Sequence, residues 1–329
     1  MKAAVYEHYG PPSVVALREV ADPVPRDDEL LVEVRATTVS SGDARLRALR
    51  TPPGFALLTR LVMGVFAPRR RTLGVELAGV VAAVGSRVSR FAVGDEIVAM
   101  TGARMGAHAE LCVISEREPI VHKPRGLTFE QAAALSFGGH SALDFLRRGA
   151  LARGERLLII GATGAVGSAA VQLAKHTGAR VTAVCSAANA ELARSLGADE
   201  VIDYAKKDCL AGSELYDVIM DTVGDVSFGR ARRSLAPRGR LLFVAAGLPT
   251  ILAGVARAPF YGQRVVAGPA LGRVEDLATL ADLAEQGVYT PVIDRVVPFA
   301  DITEAHARVD SGHKRGSVVI TMSRDGSRA

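Results

Sequence analysis

Apolar positions recur along the chain with two different periods, and the change from one to the other divides it. Up to about residue 120 the pattern is one of short β-type runs. Residues 1–6, 14–19 and 30–37 are predicted strands, separated by Gly10-Pro11-Pro12 and Asp22-Pro23-Val24-Pro25. Residues 74–85, 93–98 and 106–114 continue the series as strands of a small β-barrel, with glycines at the bends. Val121-His122-Lys123-Pro124 reads as the exit from this region. Ser40-Ser41-Gly42-Asp43 is turn or helix-cap chemistry ahead of a short helix over 44–49. Residues 51–71 form a long connection with an apolar middle, which argues against disorder. It predicts either an apolar wall beside a cleft or a helix packed on the core.

Beyond residue 123 the period changes. Thr128, with Gln131 three residues on, has the form of a capping box opening a helix to 135, and 141–148 is a second helix. From 156 to 269 strand and helix patterns alternate. Strands are predicted at 156–160, 180–185, 200–203, 216–221, 240–245 and 264–267, with helices to 177 and over 190–196 and 227–235. Such alternation predicts a doubly wound parallel sheet and an α/β fold. A helix over 276–285, a strand over 292–297, a helix over 301–309 and a strand over 317–321 can return to complete the first domain. The expected division is 1–122, 123–269 and 270–329.

One stretch stands out. Leu157-Leu158-Ile159-Ile160 is apolar without alternation, as in a strand buried on both faces. Gly161-Ala162-Thr163-Gly164-Ala165-Val166-Gly167 follows at once, and then apolar residues at helical spacing. Strand, glycine turn and helix form the context of a dinucleotide fingerprint. The turn lets a pyrophosphate approach the backbone, and the first helical N–H groups face it. The alternative is a tight strand–helix turn with no ligand.

Composition narrows the field. The 329 residues suit two domains, and 49% hydrophobic content allows a full core. No apolar run reaches the ~18 residues a membrane span needs, and the first residues enter a strand pattern without the apolar run of a secretory signal. Three widely spaced cysteines, Cys112, Cys185 and Cys209, fit a reducing compartment and thus a cytoplasmic location. The net charge of +5 is modest; the one dense basic cluster, Arg69-Arg70-Arg71, reads as a solvated loop or an anion contact. Aromatic residues are few and not interleaved with basic ones, which speaks against nucleic-acid binding. The partners expected are a small-molecule substrate and a second copy of the chain, paired through the edge strand 265–267.

Several of these stretches carry a family resemblance. Gly74-Val75-Glu76-x-x-Gly79-x5-Gly85 resembles the medium-chain dehydrogenase/reductase signature, whose second position is His in the zinc alcohol dehydrogenases. Gly154-Glu155-x-x-Leu158 through Gly167, Gln172 and Lys175 resembles the quinone oxidoreductase and zeta-crystallin signature. It departs at Thr163, where a smaller residue is usual, and at Ala165, where glycine is usual. The segment 195–204 and the closing segments 291–294 and 316–320 are similar as well. The resemblance implies a GroES-like β-barrel catalytic domain joined to a Rossmann domain, in the zinc-free branch, with relatives that commonly dimerise.

Residue chemistry sharpens this expectation. A catalytic zinc needs about three N, S or O ligands and an open position. The loop before the signature, Ser40 to Arg45, has no Cys, and Val75 cannot ligate. Glu76 reads as a buried, hydrogen-bonded brace, and His140 as a proton donor or a packing residue. An NAD site usually has an acid about 20 residues after the glycines, but the second strand ends in Ser186-Ala187-Ala188-Asn189. Ser186 and Asn189 can hydrogen-bond a 2′-phosphate, so NADPH is the expected cofactor. In the resembling reductases a Ser, often with a Lys, binds that phosphate, and the Tyr matching Tyr204 lies against it; here Asn189 replaces the Lys. Lys175 reads as a helix-end cation. Thr222-Val223-Gly224 and Ala245-Ala246-Gly247 follow strands whose carboxyl ends line the ligand crevice, and are expected to contact the nicotinamide half.

Without a metal to hold an alkoxide, alcohol oxidation is disfavoured and hydride transfer to a quinone or an α,β-unsaturated carbonyl is expected. Ser41, Asp43 and Arg45 occupy the loop that corresponds to the family's substrate surface and are the candidate catalytic contacts; Asp43 is equally a helix cap. Arg45 stands where many relatives carry Tyr. The alternatives are an enoyl reductase of a biosynthetic pathway and a non-catalytic dinucleotide-binding or structural protein.

Overall fold

The computed structural model describes residues 1–270 and 273–322. The chain forms β1 (Lys2–Val5), β2 (Ala16–Glu19), β3 (Glu29–Val39), α1 (Ser41–Ala48), α2 (Ala56–Met63), β4 (Glu76–Val84), β5 (Glu96–Met100), β6 (Leu111–Ser115), β7 (Ile120–His122), α3 (Phe129–Ala133) and α4 (Ser136–Arg148). It continues with β8 (Arg156–Ile160), α5 (Ala165–Thr177), β9 (Arg180–Cys185), α6 (Ala190–Ser195), β10 (Glu200–Asp203), β11 (Tyr216–Asp221), α7 (Phe228–Ala231), β12 (Leu235–Phe243), α8 (Leu248–Arg257) and β13 (Arg264–Val266). The last elements are α9 (Val274–Glu285), β14 (Ile293–Pro298), α10 (Ile302–Asp310) and β15 (Ser317–Thr321). Two compact units result. The first holds Met1–Thr51, Leu58–Phe137 and the described part of Gly272–Ala329; the second holds Pro52–Leu57 and the described part of Gly138–Leu271.

In the first unit a seven-stranded sheet runs β14-β15-β3-β4-β5-β7, with β6 also on β3. β14 and β15 are parallel; the other pairings are antiparallel. β3 is its spine. It is 11 residues long and mostly buried. It pairs with β6 through Glu29–Glu33 and with β15 through Ala36–Val39. Leu30, Val32, Val34, Leu77, Val81, Ile97, Ile114 and Ile120 make one core around it. α10 closes a second core with Ile302, Ala305 and Val309, spaced to lie along one helix face. The predicted capping box of α3 is present: Thr128 and Gln131 each accept the other's backbone N–H. The connection 51–71 contains a helix, α2, of which Met63 is the buried residue, while Leu57, Leu58, Leu61, Val62 and Phe66 are exposed.

The second unit is a six-stranded sheet of order β10-β9-β8-β11-β12-β13, parallel throughout. Reading outward from β8, this is the doubly wound order of a dinucleotide-binding sheet. Leu157, Leu158 and Ile159 of β8 have no exposed surface, as an apolar run without alternation requires. Two expectations fail. The helix over 227–235 stops at Ala231, because β12 begins at Leu235 and carries the turn residues 237–239, with a register shift against β11. α8 was not expected. It starts from Gly247 as N-cap with Pro249 in its first turn, a pairing easily taken for a loop. Among the described residues no helix is long and apolar enough to cross a membrane.

Candidate functional site

The glycine turn of the second unit is built as the fingerprint requires. Gly161 has φ +80°, and a Cβ there would lie 2.5 Å from Thr222 Oγ1 and 2.8 Å from Val223 Cγ2. A Cβ on Gly167 would meet the Gly161 carbonyl oxygen at 2.2 Å and Ala162 Cα at 2.7 Å. Both glycines therefore serve close backbone packing. Gly164 differs: a Cβ there would touch nothing nearer than the Gly161 oxygen at 3.6 Å. Its missing side chain leaves open space in front of α5. Gly164 is the N-cap of α5 and supplies no side-chain cap, so the N–H groups of Ala165, Val166 and Gly167 start the helix uncapped. Those donors and the helix dipole favour an anion at this point. Ala162 and Thr163 are buried beneath the turn. Ala165 packs closely on α4, where a Cβ on Gly138 would meet its carbonyl oxygen at 2.4 Å.

The adjoining strand ends converge on this turn. The Asn189 amide donates to Thr163 Oγ1 at 3.2 Å. Ser186 carries no side-chain cap bond. Tyr204, 60% exposed, is joined to the end of β9 by its N–H to the Cys185 carbonyl at 3.2 Å. Asp203, at the end of β10, turns its carboxylate to the Ala205 N–H at 3.0 Å. Lys206 and Lys207 follow, both exposed, their N–H groups on the Asp203 carbonyl. Sequence reasoning missed this lysine pair because it searched only the end of β9 for charge. Lys175 is occupied elsewhere, paired with Asp199 at 2.8 Å.

On the other side, Thr222 Oγ1 donates to the Ile160 carbonyl at 2.8 Å, tying the turn after β11 to the end of β8. A Cβ on Gly224 would lie 2.7 Å from the Ala245 carbonyl oxygen, so the turns after β11 and β12 are also in contact. Asp221, with no exposed surface, accepts the N–H groups of Val223, Gly224 and Val226 and holds this turn in shape. Like the lysine pair, it carries no signal in the sequence: an acid at a strand end gives no pattern beyond its own identity. Ala245, Ala246 and Gly247 lead into α8, where the Leu248 N–H donates to the Pro53 carbonyl at 2.8 Å. The fold therefore gathers the candidate cofactor residues onto the carboxyl edge of one sheet.

In the first unit, α1 divides the three substrate-loop candidates. Asp43 is fully buried. Its carboxylate accepts the Ser40 N–H at 2.8 Å, the Ser40 hydroxyl at 2.6 Å and the Gly74 N–H at 3.0 Å. With Ser40 it forms the capping box of α1, and it braces the signature glycine; burial and these three donors match the helix-cap alternative of the two expected. Ser41 and Arg45 lie four apart on one face of α1 and are partly exposed. The Arg45 guanidinium forms no hydrogen bond or ion pair among the described residues, and burial pulls its pKa below the ordinary value.

The signature residues do not fit zinc. Val75 offers no ligand atom. Glu76, 1% exposed, accepts the Thr38 hydroxyl on one oxygen and the Phe137 N–H, at 2.5 Å, on the other. Burial pushes its carboxyl up to about 7, against the pull of those two donors. His108 Nε2 bonds the Thr38 carbonyl at 2.8 Å, and His140 is buried in α4. Among the described residues no three His, Cys, Asp or Glu side chains group to hold a metal ion.

Residues 26–126 match the family described as alcohol dehydrogenase GroES-like domain, and 196–320 that described as zinc-binding dehydrogenase. The chain is 34% identical to the quinone oxidoreductase of Pseudomonas aeruginosa, over 97% of this chain and 99% of that one. It is 31% identical to the 2-methylene-furan-3-one reductase of Solanum lycopersicum, over 97% of this chain and 79% of the other. The Escherichia coli quinone oxidoreductase complexed with NADPH superposes with a TM-score of 0.83 at 25% identity, over 98% and 100% of the two chains. Val75 stands where the zinc enzymes carry a His ligand, and the Pseudomonas relative is matched over nearly the whole of both chains; the chain belongs to the medium-chain dehydrogenase/reductase superfamily, in its zinc-free quinone oxidoreductase branch.

Proposed function

We propose that the protein is a zinc-independent, NADPH-dependent oxidoreductase that reduces a quinone or an enone. The observation that carries this reading is the start of α5: an uncapped helix N-terminus with open space at Gly164, beside a strand end that carries Ser186 and Asn189 within an acid-free Ser186-Ala187-Ala188-Asn189. The turn from Gly161 to Gly167 would receive the pyrophosphate. Ser186 and Asn189 would hold the 2′-phosphate, with Lys206 and Lys207 supplying the positive charge that the loop after β9 lacks, and Tyr204 lying against it. Thr222, Val223, Ala245, Ala246 and Gly247 would flank the nicotinamide half. Bound NADPH supplies a hydride.

Ser41 and Arg45 supply the complementary chemistry. Reduction at the β-carbon of an enone puts negative charge on the conjugated oxygen, and donors placed there lower the barrier. A half-buried guanidinium without a partner among the described residues is such a donor, and the Ser41 hydroxyl shares its face. The exposed apolar side chains of α2 suit a wall for a lipophilic substrate. The Solanum relative is named for a substrate in which an alkene is conjugated to a ketone, and the Pseudomonas relative for quinones, which supports both halves of the substrate class. The test is NADPH oxidation with a panel of small quinones and enones: turnover supports the reading, while cofactor binding without turnover across the panel favours a non-catalytic dinucleotide-binding protein.

The proposal extends to a cytoplasmic homodimer. Cys112, Cys185 and Cys209 are all free, as suits a reducing compartment. β13 is an edge strand, and Phe260 just before it is 87% exposed. Light scattering of wild type and Phe260→Asp tests the dimer.

A further inference from the structure

A cleft in the first unit has no part in the chemistry above. It is an open cleft of about 730 Å³, lined by Arg26, Arg69, Arg70, Arg71 and Arg104, with Glu29 as the acidic residue among its lining side chains. Glu29 is already taken: it pairs with Arg104 at 2.8 Å. Arg71 is weakly engaged, 3.8 Å from Glu7. Arg26, Arg69 and Arg70 direct no side-chain hydrogen bond or ion pair to any described residue. The amino group of Met1, also on the lining, is paired with Asp22 at 2.6 Å.

So many like charges around one cavity repel each other, and a solvated face would spread them apart. The sequence brings them together from three separated stretches: the loop before β3, the triple arginine after α2, and the turn after β5. The Arg69 N–H is fixed to the Met63 carbonyl at 2.8 Å, so the triple-arginine loop leaves α2 in a set direction. Guanidinium groups bind phosphate through paired, planar hydrogen bonds, and several of them match a ligand with several phosphates. The volume is that of a nucleotide-sized site. Val24, Met105, Ala109 and Leu111 on the lining offer apolar contact to an organic portion.

We propose that this cleft is a binding site for a soluble, multiply phosphorylated small molecule, separate from the dinucleotide site, whose residues all belong to the second unit. The probe is inorganic tripolyphosphate, titrated calorimetrically into the NADPH-loaded protein at low and moderate salt. Saturable binding that weakens at least tenfold in Arg69→Gln/Arg70→Gln and in Arg26→Gln, with unchanged NADPH-dependent turnover and melting temperature, supports the site. Binding that the variants leave unchanged, or no saturable binding at low salt, overturns it. A parallel arm uses vesicles of phosphatidylglycerol. Adsorption to vesicles without any binding of tripolyphosphate also overturns it, because the cluster would then be reading a headgroup surface.

Discussion

The side-chain amide of Asn189 donates to the hydroxyl of Thr163 at 3.2 Å, fastening the loop after β9 to the glycine turn after β8. Both residues depart from the pattern of the resembling reductases, and each departure is the other's partner. An acid at 189 would lie on the same loop end as Ser186 and repel a 2′-phosphate while accepting hydrogen bonds from a ribose. Asn189→Asp is expected to raise the KM for NADPH roughly tenfold or more and to leave that for NADH nearly unchanged. Steady-state kinetics with the two cofactors measure it.

Glycines of the fingerprint separate folding from binding. A Cβ on Gly167 collides with backbone at 2.2 Å, which no side-chain movement relieves. Gly167→Ala should cost about 1–3 kcal/mol of stability or more. Gly164→Ala meets nothing within 3.4 Å, so melting should be nearly unchanged, while NADPH affinity falls because the methyl fills the anion's approach. Calorimetric melting and cofactor titration of both variants check the contrast.

Why these two glycines differ was not legible in the sequence. The string from Gly161 to Gly167 was enough for the strand, turn and helix, since spacing and the apolar run specify them locally. Which glycine faces a neighbour and which faces space depends on how the turn folds back, laying Gly161 and Ala162 against Gly167 and away from Gly164. The doubly wound parallel sheet followed from alternation in the same way, whereas the order of its strands did not, and the strand patterns over 292–297 and 317–321 allowed β14 and β15 to return to the first domain. α8 was hidden because its exposed face carries Leu252 and Val255, which erases the polar stripe that marks a surface helix. The two faces of α1 could not be told apart either: Asp43 reads the same as cap or catalyst until its three donors are known.

Glu76 makes stability depend on pH. Its carboxyl is raised from 4.5 to about 7 by burial, so the folded state holds a proton that the unfolded state releases. Stability from this group is therefore lost as pH rises from about 4.5 to about 7, by roughly 3 kcal/mol in all. Glu76→Gln removes the titration and should flatten that slope in denaturant melts across the window.

His306 acts in the opposite direction. It has no exposed surface, both ring nitrogens lack hydrogen-bond partners among the described residues, and its ring stands 5.7 Å from that of His108. Burial, with His108 and Arg47 adding to it, holds its pKa well below 6.5. Its contribution is fully present above 6.5 and is lost as pH falls below that value, because the unfolded chain takes the proton first. His306→Leu should be more resistant to acid than wild type. Acid titration of the two proteins, followed by circular dichroism, checks this.

Arg45 should act on the substrate alone. Arg45→Gln is expected to lower kcat/KM for quinones and enones by roughly 10²-fold, the scale of one lost donor to a developing oxyanion, with the KM for NADPH unchanged. A variant that loses NADPH affinity instead would move Arg45 out of the substrate site.

Hydride should reach a conjugated carbon without any metal, and the fate of an isotopic label reads this out. Protein stripped with a chelator is given NADPH deuterated at the transferable position of nicotinamide C4, with a simple enone. The expected product is a saturated ketone carrying deuterium on its β-carbon, formed at the rate of untreated protein. Deuterium on the carbonyl carbon of an alcohol, or turnover that the chelator abolishes, would contradict it.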